Sequence, residues 1–247
     1  MEDEKQMTVT GHLKELRNRT VICILVLVAV FMAALYFASD LVTILLSIGL
    51  KYNYTFVYIS PQELLVEYFS VAICAALCIT LPLILYQSYA FMSPGLKKNE
   101  QFFFKIAMIC GTFCFVLGVV FAFKVMLPFM LYFLIHVSDG MDVTSTISVQ
   151  NYLSFLLTVF ICFGVIFELP VVSTLLTRMG LLKSSWMKKG RRVMIVVIFI
   201  VAAFITPPDV VSQIMVAIPI MGLYEISIML SGFCEKFRKE EKKEETE

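Results

Sequence analysis

The sequence predicts an all-α membrane protein with six transmembrane helices and both termini on the cytoplasmic side. Three observations carry this reading. Of the 247 residues, 60% are hydrophobic and only 16% charged, and the mean hydropathy is +0.88. A soluble fold of this size has no interior large enough for so much apolar surface. The apolar residues fall in uninterrupted runs, whereas barrel strands would alternate. The Lys and Arg residues gather on alternate connections.

A span needs about 20 mostly apolar residues. The first candidate is Thr20 to Ala38. It is too long for a signal-peptide core and no small-residue cleavage pattern follows it, so it is expected to be retained. The second runs from Phe69 to Tyr89 and the third from Phe102 to Phe123. The fourth runs from Leu153 to Leu176. The fifth follows Arg192 and reaches only Ile205, where Thr206, Pro207, Pro208 and Asp209 intervene. The sixth runs from Val210 to Leu230. The fifth would rise only about 20 Å, against a hydrocarbon thickness of about 30 Å. Either it borrows a turn through snorkelling Arg191 and Arg192, or the bilayer thins or a water-filled notch opens beside this hairpin. Pro219 is expected to shorten or kink the sixth.

Orientation follows from Lys and Arg counts. The N-terminal segment carries Lys5, Lys14, Arg17 and Arg19. Lys97 and Lys98 lie between spans two and three, with Lys105 nearby at the start of span three. Arg178, Lys183, Lys188, Lys189, Arg191 and Arg192 follow span four, and five more basic residues lie in the tail. Only Lys51 and Lys124 fall on the other side. The chain therefore divides into a cytoplasmic amphipathic segment (1–19), a transmembrane domain (20–230) and a charged cytoplasmic tail (231–247), expected to be disordered. The outer connection 39–62 is rich in interfacial aromatics. The stretch 138–151 is polar and leads to a short surface helix entered near Ser148.

A net charge of +1 gives no reason to expect a nucleic-acid partner. The seven Cys are an odd number, six of them in apolar runs, which is not a disulfide framework. They read as small, soft side chains at helix contacts. No Walker loop, His-Glu-x-x-His or Ser–His arrangement is present, so neither an enzyme nor a metal or cofactor site is expected.

A few polar residues are not explained by composition. Glu168 sits late in span four, two residues before Pro170, and a carboxylate there must face protein, water or a partner. It reads as a proton carrier, a polar anchor for another helix, or a group near the cytoplasmic interface. Gln213 and Glu225 in the last span, and Gln87 ending span two, are further polar candidates. Ser60-Pro61-Gln62-Glu63 has the form of a helix start with a capping box. Glu67 follows one turn later. Residues 12–19 form an amphipathic approach to span one, and residues 91–100 a compact turn ending in a carboxylate. Glu15 and Glu100 thus share the cytoplasmic face. Two such carboxylates suit a cationic ligand, above all paired arginines.

These residues occur in a recognisable order. They comprise His12-Leu-x-Glu-Leu-Arg17, Ser60-Pro-x-Glu63, Pro82-x-x-x-Tyr-Gln87, and Phe91-x-x-Pro-Gly-Leu96-x-x-x-Glu100. Pro128, Phe167-Glu-x-Pro170, Arg191-Arg192, Thr206-Pro-Pro-Asp209 with Ser212-Gln213, and Leu223-Tyr-Glu225 follow. Across residues 8–232 the chain resembles the TatC family, the multi-spanning receptor of the twin-arginine protein translocase. Val193 and Leu65 depart from the aromatics common at those places, both as apolar exchanges.

The resemblance implies an inner-membrane receptor for Arg-Arg signal peptides of folded cargo, driven by the protonmotive force. Glu15, Arg17, Arg19, Pro94, Leu96 and Glu100 would form the signal-peptide surface. Glu168, with Gln213 and Thr206 on the other wall of a polar cavity, would meet partner helices. Glu63, Pro207 and Asp209 would serve assembly at the outer face. Implied partners are single-span TatA- and TatB-type subunits, further copies of the chain, and membrane lipid. The alternative classes are a small-molecule or ion-coupled transporter using Glu168, and a membrane scaffold without transport.

Overall fold

The computed structural model describes residues 9–52, 54–92, 98–136, 146–206 and 209–244. Helix α1 (Val9–Tyr36) carries the amphipathic segment into the first apolar run without a break. After a turn at Phe37, α2 (Ala38–Leu50) follows, an apolar helix too short to cross. Strand β1 (Thr55–Val57) leads to α3 (Pro61–Met92). Helix α4 (Lys98–Phe121) passes through a π-helical turn, Ala122–Met126, into α5 (Leu127–His136). Pro128 explains the turn: it cannot donate to the carbonyl of Lys124, and the widened turn absorbs the mismatch. Strand β2 (Thr146–Ser148) opens directly into α6 (Val149–Ile166). Then come α7 (Leu169–Met179), α8 (Ser184–Lys189), α9 (Arg191–Ile205) and α10 (Val210–Glu244).

Among the described residues, five segments are long and apolar enough to span a membrane: Gly11–Tyr36, Pro61–Phe91, Gln101–Ile135, Val149–Met179 and Val210–Arg238. The element between the last two is α9, with 15 residues, or about 22 Å. The short fifth element is therefore as the sequence reads it. The sixth is not shortened: α10 has 35 residues and Pro219 lies inside it. A single proline forfeits one ladder bond, which a helix in a membrane tolerates.

The core runs along α6. Val149, Leu153, Leu156, Phe160 and Phe163 recur on one face and are buried. They meet Met126, Leu127 and Met130 from the π turn and α5. Helix α4 comes close enough that a side chain at Gly118 would lie 2.7 Å from the Phe163 carbonyl. Small residues allow such approaches where the surroundings are lipid. Conversely, Leu25, Val28 and Met32 on α1 are exposed, as a lipid-facing side requires.

Two expectations change and one feature is added. No separate surface helix is entered near Ser148; that residue immediately precedes α6, and Ser148 and Val149 are already buried. Strands β1 and β2 pair in parallel, Thr55 with Thr146 through Val57 with Ser148, adding a two-stranded ribbon to an otherwise helical fold. The tail is helical through Glu244. Its first turns are docked: Ser184 N–H donates to Glu235 at 3.2 Å, and Arg238 to the Thr177 carbonyl at 3.3 Å.

Candidate functional site

One end of the bundle gathers the start of α1, the end of α3, the start of α4, the end of α7, α8 and the end of α10. Cross-contacts tie these together: His12 stacks on Phe91 with centroids 4.2 Å apart, Tyr89 donates to the Gln101 carbonyl at 3.3 Å, and Arg178 lies over the Phe103 ring. This is the end rich in Lys and Arg.

Glu15 and Arg19 lie one helical turn apart on α1, so their side chains meet. Arg19 donates to Oε1 of Glu15 from Nε (3.0 Å) and from Nη2 (2.5 Å). Its Nη1 donates to Gln87 at 3.1 Å, which ties α1 to α3. Both arginine contacts fall on the same carboxylate oxygen. The other oxygen, Oε2, is buried with no hydrogen-bond partner among the described residues. Arg17 is exposed. Glu100 belongs to the first turn of α4. Its side chain, together with Pro94 and Leu96, lies outside the described residues.

Glu168 occupies the break between α6 and α7. Pro170 has no N–H to continue the ladder, so Phe167 and Glu168 form a turn before α7 resumes. The carboxylate points at α4, where Gly111 leaves it room: a side chain there would lie 2.9 Å from Oε2. Oε1 is buried without a hydrogen-bond partner among the described residues. A cavity of about 100 Å³ adjoins it, with Ser88 and Tyr89 of α3 on its wall. Sequence reasoning missed Gly111; its only signal is a glycine inside an apolar run.

Gln213 and Thr206 do not share this cavity. Gln213 Nε2 donates to the Phe199 carbonyl at 2.9 Å, fastening α10 to α9. Thr206 Oγ1 donates to the Ala202 carbonyl at 2.9 Å and lines a different cavity with Tyr54 and Ser154. Asp209 caps α10, accepting from Ser212 N–H at 2.7 Å. Pro207 lies outside the described residues. Arg191, opening α9, pairs with Glu225 at 2.6 Å.

At the opposite end, Glu63 departs from the expected capping box. Its carboxylate accepts from Ile59 N–H at 3.3 Å, one residue before the cap, and from Ser148 Oγ at 3.4 Å. Glu67, 1% exposed, accepts from Ser154 Oγ at 3.3 Å. Tyr54 donates to the Leu131 carbonyl at 3.3 Å and Tyr152 to that of Leu45 at 3.1 Å. Burial pushes the Tyr54 phenol above its usual range.

Together these features define a multi-pass helical membrane protein, with a largely buried carboxylate paired to Arg19 at one end and another held in a helix break. Comparison with known proteins gives the family. Residues 11–219 match the family model described as Sec-independent protein translocase protein (TatC). The chain is 38% identical over 231 residues to the TatC of Listeria innocua, covering 93% of each. It is 36% identical to that of Helicobacter pylori strain J99, over 89% of this chain and 87% of the relative. A solved structure described as the twin arginine translocase receptor TatC superposes with a TM-score of 0.82 at 33% identity. That match covers 90% of this chain and 99% of the other. The chain belongs to the TatC family.

Proposed function

We propose that this chain is the receptor subunit of a twin-arginine export system in the cytoplasmic membrane. On this reading the Lys- and Arg-rich end faces the cytoplasm and takes the Arg-Arg pair of a signal peptide on folded cargo. The observation that carries it is the buried, unpartnered Oε2 of Glu15. Leaving a charged acceptor buried and unpaired is costly, and a guanidinium from a ligand removes that cost. Arg19 already satisfies Oε1 and fixes the rotamer, so Oε2 is the free position. Glu100, in the first turn of α4, offers the second carboxylate, and Pro94 and Leu96 belong to the same signal-peptide surface on this reading. Arg17 completes the surface.

In this scheme the peptide's apolar segment lies beside the bundle, and single-span TatA- and TatB-type subunits dock along the membrane-facing helices. Further copies of the chain assemble through the outer face near Glu63, Pro207 and Asp209. Glu168 meets the partner helices from its own cavity between α3, α4 and α7, apart from Gln213 and Thr206. The short α9 makes one edge of the receptor thinner than the bilayer, where the protonmotive force drives cargo across.

A photo-crosslinkable Arg-Arg signal peptide tests the site. Glu15→Gln and Glu100→Gln are each expected to lower crosslinking at least tenfold while helix content is unchanged. A peptide with Lys-Lys should crosslink poorly to the parent protein, because an ammonium lacks the guanidinium fork. Unchanged crosslinking in both variants overturns the assignment.

A further inference from the structure

Beside the Arg-rich start of α9 lies a pocket between α8 and α10, with a volume of about 510 Å³. That is within the range of small-molecule sites. Its charge pattern is uneven. Arg191 is engaged by Glu225 at 2.6 Å. Glu235 accepts the Ser184 N–H at 3.2 Å. Lys188 and Lys236 face the same space, and neither has an ion-pair partner among the described residues. Both acids are therefore engaged while two ammonium groups are free, beside the hydroxyl-bearing Ser184 and Ser185.

The opposite wall is apolar. Met229 and Phe233 are 62% and 57% exposed, and they continue along α10 into exposed Ile226 and Leu230. In a membrane protein that stripe faces acyl chains. The pocket's depth is marked by Trp186, which is exposed and carries Lys183 over its ring at 5.5 Å. Tryptophan and lysine together are the usual occupants of the headgroup layer. A site that is cationic and hydroxylated on one side, and apolar towards the bilayer on the other, matches one chemistry: a phosphodiester carrying a net negative charge, with its acyl chains attached.

We propose that this pocket binds the headgroup of an anionic phospholipid, with Lys188 and Lys236 on the phosphate and Met229 and Phe233 against the acyl chain. The site is separate from the Glu15 surface, and its test does not involve a signal peptide.

The full-length protein, purified in detergent, is titrated with phosphatidylglycerol and with phosphatidylcholine of the same acyl chains, and bound lipid is counted by native mass spectrometry. The parent chain is expected to retain one phosphatidylglycerol in preference to phosphatidylcholine. Lys188→Ala and Lys236→Ala should each weaken that adduct about fivefold. Lys51→Ala and Lys124→Ala remove the same charge from the opposite end and should leave it unchanged. Lys188→Gln and Lys236→Gln keep the side-chain bulk and must reproduce the loss; circular dichroism verifies their fold. A loss for Lys51→Ala and Lys124→Ala equal to that of the Lys188 and Lys236 variants overturns the proposal. So does equal retention of the two lipids. Displacement of the lipid by millimolar inorganic phosphate would reassign the pocket to free phosphate and also overturn it.

Discussion

The two ends of the bundle are held together in different ways. The end bearing Glu63 is stapled by buried bonds between distant parts of the chain. Tyr54 reaches Leu131, Tyr152 reaches Leu45, Ser148 reaches Glu63, and β1 pairs with β2. The Lys- and Arg-rich end is joined largely by charged side chains. Arg19 bridges Glu15 and Gln87, and the Arg191–Glu225 pair is about half exposed. Exposed ion pairs contribute little to stability, while buried bonds, once made, are expensive to break. On the proposed function the difference divides labour: one end and the core hold the frame, and the other offers its charged groups to a signal peptide. Variants in the two regions should therefore fail differently.

The largest effect is expected in the frame. Phe163 is fully buried beneath the α4 crossing, and Phe163→Ala should cost about 3–5 kcal/mol. Labelling of the buried Cys74 and Cys234 with a thiol-reactive dye during heating reports this directly. A loss below about 1 kcal/mol would mean that the core along α6 does not hold the frame.

Next comes Arg19→Lys at the other end. A lysine keeps the charge but cannot donate from two nitrogens to Glu15 while a third reaches Gln87. Peptide affinity is expected to fall about tenfold, the scale of one charge-assisted bond. The thermal transition should hardly move. A large drop in stability with intact binding would invert the comparison between the two ends.

These contrasts were unevenly legible in the sequence. Long apolar runs are detectable by hydropathy because lipid demands them of every residue, so the spans were readable. Pro170 announced the break at Glu168, and Asp209 the start of α10. Other features depend on tertiary contact. The ribbon pairs three residues with three others 91 positions away, far too little for periodicity to register. Helix α2 is apolar but short, and its sequence does not distinguish it from a structured loop. The tail looked like a solvated charge run, yet Glu235 and Arg238 dock on α8 and α7. Glu15 and Arg19 were visible as a turn-spaced pair. That both arginine contacts use one oxygen, leaving Oε2 free, required the fold.

Glu168 sits between the two regimes, buried like the frame yet unsatisfied like the exchange surface. Gly111→Ala would press a methyl group against its carboxylate; the flexible glutamate can shift and alanine favours the helix, so the net cost should stay below about 1 kcal/mol. Glu168→Ala removes the obstruction, so the double variant should recover part of that loss. A double-mutant cycle on thermal stability, with a coupling of about 1 kcal/mol, checks this. Strict additivity would mean that the carboxylate does not occupy the Gly111 cradle.

A similarly small effect sharpens the frame itself. Tyr54→Phe deletes one hydrogen bond, to the Leu131 carbonyl, and should cost about 1 kcal/mol at neutral pH. The same residue gives that end a pH signature. Burial raises the folded-state value of the phenol above the ordinary value of 10.0. Its neutral form is therefore favoured by folding, and the associated stability is fully present below about pH 10. It is lost as pH rises through the folded-state value. Stability of the parent protein should consequently decline on an alkaline limb that Tyr54→Phe flattens. If melting curves between neutrality and pH 11 fall in parallel for both proteins, Tyr54 is not the group that ties this end together.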